Sequence, residues 1–360
     1  MNKKCNRIKR FTSFLAFTYL LLLVHSPQVK AQDSSNNLET APELLKTPPN
    51  QKKPTEVSIG IYITNFANID QANESSEIVG YLFATWKDPR LAFKPKKDEE
   101  NTKYYNIEDI WQPGLEIINS KEFREQTNND VRVETNGTVH YQETFKINLS
   151  SGLDLKRFPF DSQKVNILLE SFKYDINKVK LVSQNSLSGL SKDSYVSLAE
   201  WDIQGVTTRV EQKKFEPENT YYSRLIFEIN IKRNYGFYIW KVGIPLLLLT
   251  IISWMVFWIE PKEFGTQVSI SITSMLSVIA FSFTVNDALP RVAYLTFIDG
   301  FIFLCYVFVF LSLFIVILVH YLSTTGKEKK GFMVQNNSRW FFPTTFSISN
   351  LLLIILIMLT

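Results

Sequence analysis

Residues 267–290 read QVSISITSMLSVIAFSFTVNDALP. No charged side chain falls between Glu263 and Asp287. At about 1.5 Å rise per residue, the segment is long enough as a helix to span a hydrocarbon core of about 30 Å. It is nevertheless rich in hydroxyls: Ser269, Ser271, Thr273, Ser274, Ser277, Ser282 and Thr284. A helix facing only lipid gains nothing from these groups, whereas one lining a water-filled path can use them. One helical stripe runs Ser269, Thr273, Leu276, Ala280, Phe283, Asp287. It is polar, then apolar, then acidic, the order of a wet inner mouth, a dewetting gate and a charged outer mouth. A second stripe, Ser271, Ser274 and Val278, fits the same period. Membrane serines also bond back to their own backbone or join neighbouring helices. Periodicity alone leaves the two stripes open.

Three more apolar segments surround this one, at about 237–259 (containing Pro245), 295–322 and 339–358. Lys327, Lys329, Lys330 and Arg339 flank the connection between the last two, a polar stretch of about 16 residues. Excess basic charge marks the cytoplasmic side. An exported N-terminal domain followed by four spans also puts that connection inside and Thr360 outside. The predicted location is the inner (plasma) membrane, multi-pass, with the N-terminal domain and the C-terminus periplasmic or extracellular.

The chain opens MNKKCNRIKR, with five basic side chains, followed by an apolar run from Phe11 to Val24 and Val29-Lys30-Ala31 before Gln32. This reads as a signal peptide over 1–31, too short for a comfortable span. Its removal leaves Cys305 alone, so the exported domain folds without an internal disulfide. Residues 32–54, with four prolines and little to bury, read as a flexible leader. From 55 to 235 the pattern is short alternating strands, among them VSIGIYI (57–63), VGYLFATW (79–86), TVHYQETFKI (138–147) and RLIFEINIK (224–232). Turn signals at Asp88-Pro89 and Asn136-Gly137 separate them, which predicts an antiparallel β-sandwich or barrel. Residues 236–360 form the membrane half. The formal charge is only +4, with no basic stripe, so no nucleic-acid partner is expected. No metal cluster, nucleophile motif or phosphate loop appears, and neither enzyme activity nor a cofactor is expected.

The motifs then fall in a specific order: WKDPRLAF (86–93), IWQPGLEIIN (110–119), LDLKRFPFDSQ (153–163), EWDIQG (200–205), a first span with Trp240 and Pro245, and NDALPRVAYLTFIDG (286–300). Together they resemble the pentameric ligand-gated ion channels, the Cys-loop receptor superfamily, over nearly all of the chain from about Val57. Ser151 and Val165 stand where the loop cysteines of animal members fall by spacing. That departure and the short connection between spans three and four resemble the prokaryotic branch. The resemblance implies a β-sandwich extracellular domain, a four-helix transmembrane bundle and a ring of five subunits, each giving its second helix to a central pore. Aligning Pro290 with the family's proline after that helix puts Ser269, Thr273, Leu276, Ala280, Phe283 and Asp287 on the pore side, with Leu276 at the gate. The rival serine stripe then becomes helix packing.

The same resemblance implies a coupling layer of Asp70, Glu74, Phe160, Asp161, Arg233, Pro290 and Tyr294, with Asp161 and Arg233 as a charge-assisted pair. Gln71 stands where a close prokaryotic pattern carries a second acid. Agonists in this family bind between subunits beneath a hairpin. Glu116, Glu170, Phe172, Phe215 and Tyr222 are the candidates here, with Tyr81 and Trp86 from the neighbour's face. Their bland reading is strand packing. Aromatic faces with carboxylates favour a small amine-like agonist, and ESFKY (170–174) resembles the amine-gated prokaryotic channels. Protons are the alternative activator, through Glu74, although Val278 replaces a histidine of proton-gated relatives; His320 keeps the one in the third span. Glu263 and Asp287 would give two acidic rings and select monovalent cations. Against this, the loop before the pore helix is two residues longer than in close prokaryotic members and matches the length in anion-selective ones. Their proline-alanine-arginine signature is absent, with Gln267 at the arginine. A homopentamer in the lipid bilayer is the expected assembly. A non-conducting periplasmic-sensing protein or transporter is the alternative of another class, and it lacks an inverted repeat or an intramembrane acid–base relay.

Overall fold

In β1 (Thr55–Asp70) and β2 (Ser75–Lys87) alternate side chains are buried, as a strand pattern of period two requires when one sheet face is covered. The computed structural model describes residues 43–71, 73–96, 100–122, 128–191, 200–286 and 292–359. The predicted signal peptide and residues 32–42 of the leader lie outside the described residues, as do Asp287 and Pro290. In the rest of the leader a 3-10 turn covers Glu43–Lys46, and the Thr47 carbonyl accepts from the Arg90 guanidinium at 2.9 Å.

The further strands are β3 (Thr102–Asn106), β4 (Leu115–Ile117), β5 (Asp130–Glu134), β6 (Thr138–Ser150), β7 (Ser162–Ser171), β8 (Val179–Ser183), β9 (Gly189–Leu190), β10 (Trp201–Phe215) and β11 (Thr220–Arg233). They form two sheets. One has the order β3-β5-β6-β2-β1-β8, with β9 also on β1; the other is β10-β11-β7-β4. Their inner faces meet in an apolar core that includes Val57, Ile59, Leu82, Val165, Ile167 and Phe227. Trp86 belongs to this core, 2% exposed and edge-on to Trp111 at 6.0 Å. Gly137, at φ +80°, makes the β5–β6 turn, where a Cβ would come within 2.3 Å of the Asp88 carbonyl. The WKDPRLAF motif serves the same corner. Asp88 is buried, accepts the Arg90 backbone N–H at 3.0 Å and pairs with the Arg90 guanidinium at 2.7 Å.

Four helices long and apolar enough to cross a membrane follow. The first span, Gly236–Trp258, is irregular: a π turn covers Ile239–Gly243 just before Pro245. Proline lacks an N–H and crowds the carbonyl one turn back, and a wider turn relieves both. The second span is Phe264–Asn286 and the third Phe297–Thr324, the latter opened by a capping box of Thr296 and Asp299. The fourth span differs from the sequence expectation. It starts at Glu328, not near 339, and runs to Leu359. The predicted connection of about 16 residues is therefore mostly helix. Its polar side chains are used: Gln335 and Ser338 are buried instead of facing water, Gln335 against the end of the first span and Ser338 donating to the Val334 carbonyl at 2.9 Å. Above them Trp254, Phe308, Phe342 and Phe346 pack edge-to-face at 5.1–6.5 Å, joining spans one, three and four.

Candidate functional site

The second span has two unlike faces. Ser271 and Val278 are fully buried against the chain's own helices, and Ser274 and Ser282 nearly so. Ser282 donates to its own Ile279 carbonyl at 2.8 Å and also meets the Tyr306 hydroxyl of the third span. Ser269, Thr273, Leu276, Ala280 and Phe283 are all exposed in the single chain, Leu276 at 61% and Phe283 at 67%. The packing thus separates the stripes that periodicity could not. Just before this span Glu263 is exposed, and its carboxylate accepts from the Thr266 hydroxyl at 3.4 Å. Gln267 is buried, not on the exposed face.

Where the sandwich meets the spans, Arg233 ends β11 with its side chain wholly buried. Its Nε and Nη2 donate to the two oxygens of Asp161 at 2.7 and 3.1 Å. Trp201 and Phe158 stack on the guanidinium at 4.0 and 4.6 Å. Gln163 Nε2 donates to Asp161 Oδ2 at 2.6 Å and to the Asp154 carbonyl at 2.6 Å. Glu200 brings a second carboxylate to 3.7 Å from Arg233 Nη1, and Tyr238 Oη and Gln71 Nε2 each donate to it at 3.5 Å. Glu200, just before β10, thus puts a carboxylate beside Gln71. Sequence reasoning placed Asp161 and Arg233 and missed Gln163, Glu200 and Tyr238. FPFDSQ and EWDIQG carried the first two, but nothing local says which strand end a carboxylate will meet.

The other coupling candidates lie around this node. Tyr294 Oη accepts from the Leu155 backbone N–H at 2.9 Å and donates to the Leu153 carbonyl at 3.4 Å. Phe297 N donates to the Lys156 carbonyl at 3.0 Å. Phe160 packs on Tyr235 and Phe297 at 5.2 and 5.4 Å. The segment after the second span is therefore joined directly to the β6–β7 loop. Asp70 instead closes the β1–β2 turn, accepting from the Asn73 backbone and side-chain amides at 2.9 and 2.8 Å. Glu74 is exposed on that turn at φ +47°, and its carbonyl takes the Ser151 N–H at 2.9 Å.

The ligand candidates fall into three groups. Glu116 and Glu170 face each other across β4 and β7, with Phe172, 77% exposed, just beyond. Glu170 is not a free counter-ion: Arg224, its cross-strand partner on β11, makes an ion pair with it and lies 3.8 Å from Glu211. Phe215 and Tyr222 meet edge-on at 6.3 Å at the β10–β11 hairpin. Burial, and then the Glu218 carboxylate, hold the Tyr222 phenol above its ordinary pKa. Tyr81 lies on the other sheet, on β2, against Phe83 at 6.2 Å. Glu116 also lines a small cavity of ≈ 110 Å³ with Trp86, Gln112 and Tyr141.

Residues 42–235 match the neurotransmitter-gated ion-channel ligand binding domain, and residues 242–339 the neurotransmitter-gated ion-channel transmembrane region. Over 339 residues the chain is 32% identical to the proton-gated ion channel of Gloeobacter violaceus, covering 94% of this chain and 91% of that protein. It is 29% identical over 279 residues to the gamma-aminobutyric acid receptor subunit rho-2 of Homo sapiens, 76% of this chain and 60% of that subunit. To subunit rho-1 of Mus musculus it is 27% identical over 280 residues, 76% of this chain and 58% of that subunit. A β-sandwich joined through a buried Arg–Asp node to four membrane helices, matched along both halves, places the chain in the neurotransmitter-gated ion-channel family, the pentameric ligand-gated channels, which are not enzymes.

Proposed function

We propose that five copies of this chain form a cation channel whose pore is lined by Ser269, Thr273, Leu276, Ala280, Phe283 and Asp287. The division of the second span carries the reading. A helix that buries Ser271, Ser274 and Ser282 and leaves Ser269, Leu276 and Phe283 uncovered has an unpartnered face that five-fold assembly turns inward. A ring of Leu276 side chains closes by dewetting. Glu263 and Asp287 form the acidic rings that favour monovalent cations. The chain sits in the inner (plasma) membrane with its β domain and C-terminus outside, in keeping with the lysines at the start of the fourth span.

The activator is a small amine-like ligand beneath the β10–β11 hairpin. The exposed faces of Phe172, Phe215 and Tyr221 support it, together with the exposed Glu116 on β4. A second reading, activation by protons, is favoured by the Arg224 pair that already occupies Glu170. It also fits the likeness to the Gloeobacter channel, whose name is proton-gated. In either case Arg233, Asp161, Phe160 and Tyr294 pass the change to the pore helix.

Patch-clamp of the purified protein in liposomes tests this, with primary alkylamines applied at fixed pH and then acid steps alone. A reversal potential near the cation equilibrium value in a salt gradient is expected, lost in Glu263→Gln with Asp287→Asn. A value near the chloride equilibrium refutes the selectivity, and opening by acid with no response to any amine refutes the ligand.

A further inference from the structure

We infer that Gln267 and Gln335 are positioning residues for the pore: with Arg339 they clasp the inner end of the first span and tie the pore helix to the fourth span. A helix end leaves its last carbonyls without intrahelical partners, and within a membrane each must find a donor inside the protein. The first span closes in a 3-10 turn, Met255–Trp258, in which Val256 O keeps the Ile259 N–H at 3.2 Å, and the carbonyls at this end take donors from two other helices. Gln267 Nε2, at the start of the pore helix, donates to Val256 O at 3.2 Å and Ile259 O at 2.9 Å. Gln335 Nε2, in the fourth span, donates to Phe257 O at 3.0 Å and Ile259 O at 2.6 Å. Arg339 Nε donates to Phe257 O at 2.9 Å. The Ile259 carbonyl is shared between the two amides. Gln267 is 2% exposed and Gln335 3%. Carbonyls accept only, so the nitrogen ends must face them. Gln335 Oε1 has no partner, and that side chain is held by donation alone.

The clasp sits where the inner mouth is set. The Gln267 backbone N–H donates to the Glu263 carbonyl at 3.0 Å, and Ser269 follows two residues on. Tilting the pore helix to widen its inner end must break the Gln267 bonds or carry Ile259 along, and Gln335 holds Ile259. A shift of the fourth span against lipid reaches the inner mouth through the two amides. This rests on the second span being the pore helix.

The test is Gln335→Met, which keeps the volume, removes the donor and lies off the pore helix. Currents are recorded from the full-length protein in liposomes under acid steps and primary alkylamines. We expect half-activation to shift by about threefold or more, the scale of one lost buried hydrogen bond. Gln267→Met should give a similar shift, and the double variant less than the product of the two, because Ile259 is shared. Wild-type half-activation and conductance in both single variants, or strictly multiplicative shifts, would overturn the inference. If Gln335→Met does not assemble, Arg339→Lys replaces it, keeping the charge and losing the Nε donor. Loss of assembly in both assigns the clasp to folding alone and also overturns it. A wild type that passes no current under either stimulus refutes the pore reading itself, and this inference with it.

Discussion

Replacing Arg233 with glutamine strands the Asp161 carboxylate. Asp161 is 2% exposed, and Arg233 supplies two of its side-chain hydrogen bonds, leaving, among the described residues, Gln163 at 2.6 Å. Removing one partner of a buried ion pair costs about 3–5 kcal/mol, because the remaining charge is desolvated and uncompensated. Loss of the stack on Trp201 and Phe158 adds about 1–2 kcal/mol. The substitution therefore threatens assembly as well as opening, which the sequence alone did not suggest. Asp161→Asn combined with Arg233→Gln removes both charges and should recover much of the loss. The exposed pair Lys146–Glu77, at 2.8 Å with Lys146 71% exposed, is the control: solvent screens it, so Lys146→Ala should leave the Tm close to wild type. The assay is thermal unfolding of the detergent-solubilised protein with size-exclusion of the oligomer, followed by dose response for variants that assemble. A Tm for Arg233→Gln as close to wild type as that of Lys146→Ala, or a double variant no better than the single, would refute the reasoning. A wild-type dose response in an assembled Arg233→Gln would remove the residue from coupling.

Three further outcomes are expected. Leu276→Ser should wet the constriction and raise basal current or activator sensitivity, read by patch-clamp; unchanged gating rejects the register of the exposed stripe. Phe172→Ala should weaken amine activation by about 1–2 kcal/mol of lost cation–π contact, roughly tenfold in half-activation, while Glu74→Gln leaves the amine response alone; proton activation reverses that pattern. Hydrogen bonding from Lys164, helped by Arg209, holds the Glu228 carboxyl below its ordinary pKa on β11. A lowered folded-state pKa contributes stability above the unfolded carboxylate range that is lost as pH falls through the folded value, so Glu228→Gln should flatten the acid limb of a Tm-versus-pH curve; an unchanged slope counts against it.

Much was legible in the sequence because period and composition are local. Alternation marked the strands, apolar length marked four spans, and the ordered motifs identified the family. Tertiary structure decided what depends on partners distant in the chain. The two stripes of the second span share one period, and only the neighbouring helices choose which is covered: Ser271, Ser274 and Val278 are buried, while Leu276 and Phe283 are open. The polar run after Gly326 reads as a loop because nothing within it explains Gln335. It is helical because the free carbonyls of the first span need its donors. Glu170 reads as a ligand carboxylate until β11 brings Arg224 beside it, and Glu200, though it opens EWDIQG, has no partner in view until the fold sets it beside Arg233. Hydrophobic period is written residue by residue, whereas the pairing of a buried charge or an orphan carbonyl is settled by whichever strand or helix the fold sets against it.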